Sequence, residues 1–282
     1  MKLGKFEVHP FAESTVRFDG GAMFGHVPKS VWNRLVKCDR FNRVLTACNS
    51  LLVKTPGRTI LVEAGMGTKW SEKARQLYDL QVKTFREALA PFGVRPEEID
   101  TVLLSHLHID HAGGLTEWDE NQNPRLVFPN ATVYVQKGEW LAAHNPDPRS
   151  VPSYRPEEDL DPVEQAGKLH LLEGDGEIFP GVSCEVTGGH TAWHQILRFE
   201  SEGEALYYLA DIFPSPAHLK PHWVMGFDLI PLEVMRARAR LLPRLKEEKA
   251  LCLLGHAPEN PLGRIVEQDE KDRFVPIDEK GS

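Results

Sequence analysis

Cysteine is scarce in this sequence: there are four, Cys38, Cys48, Cys184 and Cys252, and no two stand at CxxC spacing. That argues against a cysteine-built framework and leaves small buried hydrophobes as their expected use, with no catalytic role for any of them. Positive charge is also short. The 33 Lys and Arg against 41 Asp and Glu give a formal charge of -8, a field that repels polyanions, so nucleic acid is not an expected partner. No apolar run approaches the length of a membrane span, and the opening MKLGKFEVHPFAES lacks the regions of a secretory signal. A cytoplasmic protein without a membrane partner is the expectation. Internal repeats and low-complexity blocks are missing as well. With 282 residues of ordinary hydrophobic content, one domain spanning residues 1–282 is expected.

What the chain does have is histidine in one place. The stretch SHLHIDHAGG, Ser105 to Gly114, packs His106, His108 and His111 around Asp110. It follows the short apolar run Thr101 to Ser105, which reads as a buried strand. Residues two apart share one side of an extended chain and oppose each other on a helix, so His106 and His108 converge only if the chain is extended there. Asp110 and His111 can then turn toward a second point, and Gly113 and Gly114 allow a tight backbone. A lone loop histidine is usually a surface or hydrogen-bonded residue, but four candidate ligands in six positions point to metal. The same pattern recurs at VSCEVTGG before His190, ALYYLA before Asp211 and ALCLLG before His256. Functional groups gather at strand ends in α/β sheets, and seven such side chains suit two metal ions.

Elsewhere, Asn49 to Lys54 and Thr59 to Glu63 flank a Pro-Gly turn and read as a hairpin. Ser71 to Pro91 reads as an amphipathic helix on Leu77, Leu80, Phe85 and Leu89. Strands are expected at 131–136, 182–186, 195–199, 205–209 and 250–254, and a helix over 232–249 whose basic residues, from Arg236 to Lys249, form a solvated face. The proline-rich, acidic stretch 145–167 reads as a surface excursion, and the charged tail after Arg264 as peripheral.

The motif His106-x-His108-x-Asp110-His111, then Gly189-His190-Thr191, Asp211 after an apolar strand and Gly255-His256, resembles the metallo-β-lactamase-fold hydrolases. The resemblance implies an α/β fold, a four-layer αββα sandwich with two divalent ions at one edge of the sheets. His106, His108 and His190 would hold the first ion, Asp110, His111 and His256 the second, and Asp211 would bridge them. His108, where the diiron flavoproteins use glutamate, favours zinc, with manganese, iron or cobalt as alternatives. Asp19-Gly-Gly-Ala-Met-Phe-Gly-His-Val-Pro-Lys29, Phe128-Pro-Asn-Ala131, Glu139-Trp140, Asn145-Pro146, Arg149-Ser150 and Leu209-Ala-Asp211 with Pro214 and Ala217-His218 are similar to the YtnP-type quorum-quenching N-acyl-homoserine lactonases.

That branch implies a small-molecule lactone substrate, attacked by a hydroxide between two metals, with Asp110 and Asp211 as catalytic residues and Asp110 carrying a proton to the leaving oxygen. Other lactonases carry a tyrosine three residues past the bridging aspartate. Here that position is Pro214, which leaves the oxyanion helper open, with His218 as a candidate. His194, in a segment similar to the GHTxxH signature, is expected to orient ligand imidazoles rather than bind metal. Met23, Phe24 and Phe213 are candidate walls of an acyl slot. Glu63 stands where relatives place aspartate and is a candidate hydrogen-bond partner for a ligand loop. Related enzymes are often dimers, so a homodimer is admitted. The rival readings are an arylesterase or phosphotriesterase, a glyoxalase II-like thioesterase and, from another class, a non-catalytic metal-binding module, which would not be expected to keep all seven ligands.

Overall fold

The computed structural model describes residues 1–277. The alternation of side chains along Arg43–Thr55 shows how the layers arise: Leu51 and Val53 face one way and Leu52 the other, and all three are fully buried, so this strand is covered on both sides. It belongs to a sheet whose spatial order is Lys2–Leu3, Phe6–Asp19, Arg43–Thr55, Arg58–Val62, Thr101–Leu103, Thr132–Gln136 and Leu169–Leu172, with Gln81–Val82 paired to Phe6–Asp19. A second sheet runs Gly176–Phe179, Val182–Val186, Gln195–Ser201, Glu204–Tyr208, Leu251–Leu253, Leu262–Gln268 and Lys271–Pro276.

Leu51, Val53, Ile60, Val62 and Leu103 of the first sheet meet Leu197, Phe199, Leu206, Tyr208, Leu251 and Leu253 of the second in a shared inner core. The outer face of the first sheet, through Leu52, Leu61, Val102 and Val133, is covered by Phe85, Leu89, Trp140 and Ala143 from short helices. The outer face of the second is covered by Val234, Ala237, Leu241 and Leu245 of the Pro231–Glu247 helix. The result is the αββα sandwich. Among the described residues no helix is long and apolar enough to cross a membrane.

The hairpin around Pro56-Gly57 forms as expected, Thr55 pairing with Arg58 and Leu51 with Val62. Thr101–Leu103 is a buried strand, parallel to both neighbours. Four expectations are corrected. The stretch 71–91 is not one helix: Glu72–Tyr78 ends at Asp79 in the left-handed region, Gln81–Val82 joins the sheet, and Thr84 with Glu87 caps a separate helix, Phe85–Leu89. Leu77 lies exposed while Leu80, Phe85 and Leu89 are buried, so these residues never shared a face. Residues 145–167 are not a loose excursion. Tyr154, Asp159, Leu160 and Val163 are buried, and the buried Lys69 Nζ reaches Asp159 at 2.9 Å. The tail after Arg264 is peripheral only in lying at the sheet's edge: up to residue 277 it completes an edge hairpin of the second sheet and buries Ile265, while residues 278–282 lie outside the described residues. Finally, Arg238 is not on a solvated face: it is buried and donates to the carbonyls of Ile212 (2.6 Å) and Trp223 (2.7 Å).

Candidate metal centre and cavity

All the sequence-marked ligand candidates sit where strands end at one edge of the sandwich. The first sheet delivers His106, His108, Asp110 and His111 just past Thr101–Leu103, the last two on the short helix Ile109–Ala112. The second delivers His190 past Val182–Val186, Asp211 past Glu204–Tyr208 and His256 past Leu251–Leu253. Two backbone positions here are strained. Glu63 and Ala210, neither a glycine, hold φ of 65° and 41°, a conformation that persists only where surrounding contacts fix it.

The ligand-capable atoms of His106, His108 and His190 lie within 4.8 Å of one another, as do those of His106, His111 and Asp211, and those of Cys48, Asp110 and His256. His108 Nδ1 is 3.1 Å from both His106 Nε2 and His190 Nε2. Asp211 lies between the groups, Oδ2 3.0 Å from His190 Nε2 and Oδ1 2.9 Å from His256 Nε2. Asp110 Oδ2 stands 3.7 Å from His111 Nε2 and 3.6 Å from His256 Nε2.

The far sides of the rings show which nitrogen each can offer. Glu63 accepts from His111 Nδ1 at 2.8 Å and from the Ser105 amide at 2.8 Å. Asp228 accepts from His190 Nδ1 at 2.9 Å and from the Met225 amide at 2.8 Å. The Ala47 carbonyl accepts from His256 Nδ1 at 2.9 Å. With each Nδ1–H engaged outward, the Nε2 lone pair is directed into the cluster. Glu139 ties two ligand loops together, accepting from the Leu107 amide, the Tyr154 hydroxyl and Thr191 Oγ1. His194 does not join the cluster: its Nδ1 meets Thr187 Oγ1 at 2.7 Å and its Nε2 accepts from the Asp211 amide at 3.3 Å.

Electrostatics follow from burial. Desolvation, reinforced by neighbouring imidazoles, holds His106 and His108 well below the usual histidine range. Burial also opposes charge on His190, but the Asp211 and Asp228 carboxylates outweigh it and raise it to about 10. Burial works against ionised Asp211 too, and the surrounding His256, His190 and His111 overcome it, so its carboxyl lies well below its ordinary value. Two atoms in the middle, His111 Nε2 and Asp211 Oδ1, are buried without a hydrogen-bond partner among the described residues. Imidazole lone pairs, carboxylates and orphaned acceptors converging on one space form a nitrogen and oxygen donor set that fits divalent cations.

A cavity of about 320 Å³ opens onto the cluster. His108, Asp110, His190, Asp211 and His256 form its polar floor, and Phe18, Met23, Met66, Trp70, Ile109, Met225 and Phe227 its apolar walls, with Tyr78, Asp19, Pro152 and Ser153 near them. Of the candidate substrate contacts, Met23 is on the wall. The other three are corrected. Phe24 is stacked between Trp32 and His218, behind the wall. Phe213 is fully buried in the core of the second sheet's outer face. His218 is fully buried, with Nδ1 engaged by Ser215 Oγ and Nε2 donating to the Met23 carbonyl, so neither nitrogen is free for a substrate.

Sequence reasoning missed Asp228, the role of Glu139 and the nearness of Cys48. The first two are single carboxylates whose partners lie 38 and 52 residues away; nothing around Asp228 marks it, and the Glu139-Trp140 pair carries a resemblance but no sign of what Glu139 binds. Cys48 carried no spacing signal; burial, against the opposing His256 imidazole and with the Asp110 carboxylate adding to it, pushes its thiol up to about 11.

Residues 43–256 match the metallo-beta-lactamase superfamily, and the chain belongs to it. An N-acyl homoserine lactonase of Bacillus cereus is 28% identical over 233 residues, 75% of this chain and 82% of that one. For an N-acyl homoserine lactonase of Bacillus thuringiensis the figures are 28% over 186 residues, 65% of this chain and 63% of that one. A solved probable metal-dependent hydrolase from Staphylococcus aureus superposes with a TM-score of 0.90 at 30% identity, over 99% of both chains. AidC, a dizinc quorum-quenching lactonase, shares the fold with a TM-score of 0.82 at 23% identity, covering 99% of this chain and 96% of the other.

Proposed function

We propose that this chain is a two-metal hydrolase that opens the ring of N-acyl-homoserine lactones, residues 1–282 acting as one domain. The observation that carries the reading is the joining of an apolar cavity to a floor made of the clustered histidines and aspartates. Such a cavity suits a small ester with a hydrocarbon tail. In this reading His106, His108 and His190 hold one cation, Asp110, His111 and His256 the other, and Asp211 both. A bound pair of divalent ions, with zinc the best match to the donor set, supplies a water-derived nucleophile at neutral pH and an electrophilic pull on the ester carbonyl.

The chain's own residues do the rest. Glu63, Asp228 and the Ala47 carbonyl hold the outward Nδ1 protons and so keep each Nε2 lone pair aimed inward. Asp110, at the cavity floor, is placed to take up a proton and return it to the leaving ring oxygen. Met23, Met66 and Met225 give the tail an adaptable apolar lining.

The test is hydrolysis of homoserine lactones of graded chain length, followed by acid release, beside paraoxon and S-lactoylglutathione. With burial worth about 0.8 kcal/mol per methylene, kcat/KM should rise on the order of tenfold per two carbons until the slot fills. Asp211→Ala should abolish turnover. Equal, feeble rates on all three substrate classes, or full activity and metal content in Asp211→Ala, would refute the proposal.

A further inference from the structure

We propose that Cys48 is a further metal-ligating residue, a soft donor to the cation held by Asp110, His111 and His256; this rests on the two-cation reading above. Cys48 is a free thiol, 3% exposed, on the Arg43–Thr55 strand. Its sulfur and the ligand atoms of Asp110 and His256 lie within 4.8 Å of one another. The neighbouring residue fixes that approach: the Ala47 amide donates to the His256 carbonyl at 3.3 Å, and His256 Nδ1 donates to the Ala47 carbonyl at 2.9 Å. Strand and imidazole are therefore clamped together immediately beside the sulfur.

A separate observation points to a ligand in the same space. His111 Nε2 and Asp211 Oδ1 belong to side chains more than nine-tenths buried and have no hydrogen-bond partner among the described residues. Asp211 Oδ1 lies 2.9 Å from His256 Nε2, and His111 Nε2 lies 3.7 Å from Asp110 Oδ2. The orphaned atoms thus face the residues that Cys48 faces. One side of Cys48 does pack as a small hydrophobe, against Val16, Met66 and Leu80. Its other side meets a carboxylate and an imidazole, which a purely apolar role does not call for. On cation binding the thiol would release its proton to solvent and coordinate as thiolate. The two metal positions then differ in kind: three imidazoles with the shared Asp211 carboxylate at one, and carboxylates, imidazoles and a thiolate at the other, which favours zinc or cobalt over manganese there.

Metal-free full-length protein titrated with cobalt(II) tests this by absorption spectroscopy. Visible d–d bands report cobalt at the site, and a near-ultraviolet thiolate-to-cobalt charge-transfer band reports sulfur coordination. The wild type should show both, whereas Cys48→Ser should keep the visible bands and lose the near-ultraviolet one. In chelator competition its affinity for one cobalt should fall by at least about tenfold, since even partners outside the ligand sphere are worth that much. Visible bands without charge transfer in the wild type, or a charge-transfer band that survives in Cys48→Ser, would overturn the role of Cys48 and leave the two-cation reading standing. Absence of any cobalt absorption would overturn both.

Discussion

Glu63 serves two donors at once, the Ser105 amide and His111 Nδ1, one with each carboxylate oxygen. Glutamine at that position has a single acceptor, so its amide N–H would face one of the two donors. Glu63→Gln should therefore let the His111 ring swing and lower metal affinity on the order of 10- to 100-fold, measured by competition with a chromogenic chelator; unchanged affinity would remove Glu63 from the metal centre. His218 makes a different prediction, about stability. Its folded value is depressed to about 4, chiefly by burial and then by the Arg238 guanidinium, against about 6.5 unfolded. Between those values the unfolded chain binds more protons, so stability is complete above about 6.5 and is lost as pH falls toward about 4, by roughly 3 kcal/mol. Urea midpoints from pH 7 to pH 4 should drop more steeply in the wild type than in His218→Gln. At this scale the histidines and aspartates were legible because each follows an apolar run. Phe24, Phe213 and His218 were of the right chemical type for a slot, but side-chain direction is decided by packing: stacking on Trp32 for one, the second sheet's outer core for another, the Met23 carbonyl for the third.

Beside the Glu63 side chain, backbone contact holds the ligand-bearing segment against the end of the Arg58–Val62 strand. The Gly114 amide donates to the Ala64 carbonyl at 3.0 Å and the Ala64 amide to the His111 carbonyl at 2.7 Å. A Cβ on Gly114 would sit 2.2 Å from the Ala64 oxygen, and one on Gly67 2.5 Å from the Gly113 oxygen. Gly114→Ala must push the two segments apart, at an expected cost of about 1–3 kcal/mol, read as a lower denaturant midpoint. Gly176→Ala, whose Cβ would meet nothing within 4 Å, is the control and should stay within about 0.5 kcal/mol. The need for a tight backbone at Gly113 and Gly114 was readable in the sequence; what it packs on was not. The strands read from the sequence are those marked by a short apolar run between turn residues; the long Phe6–Asp19 strand and the more exposed Leu169–Leu172, Gly176–Phe179 and Lys271–Pro276 carry no such unbroken run and were not expected. The 71–91 stretch failed because apolar spacing cannot show that Asp79 turns left-handed and sends the chain back to the sheet. The 145–167 stretch failed because its anchor, Lys69 with Asp159, is distant in sequence.

At the scale of the molecule, the two sheets share one apolar core along their length, while at one edge they face each other through charged groups. Four of the proposed ligands come from the first sheet and His190, Asp211 and His256 from the second. Cations there would act as cross-links between layers, bound by the native state and absent from the unfolded one, so their contribution follows mass action. At a free concentration about a thousandfold above Kd, one ion adds about 4 kcal/mol, which for a chain of this size is on the order of 10 °C in melting temperature. A chelator should lower the melting temperature by that amount, and zinc in slight excess over the chelator should restore it. The inner core lies away from the edge and loses nothing on chelation, so the far-ultraviolet dichroism of the metal-free protein should be unchanged at room temperature. A melting temperature indifferent to both chelator and zinc would mean that the charged edge is held by its own ion pairs, His190 with Asp211 and His256 with Asp211, and that no cation joins the sheets.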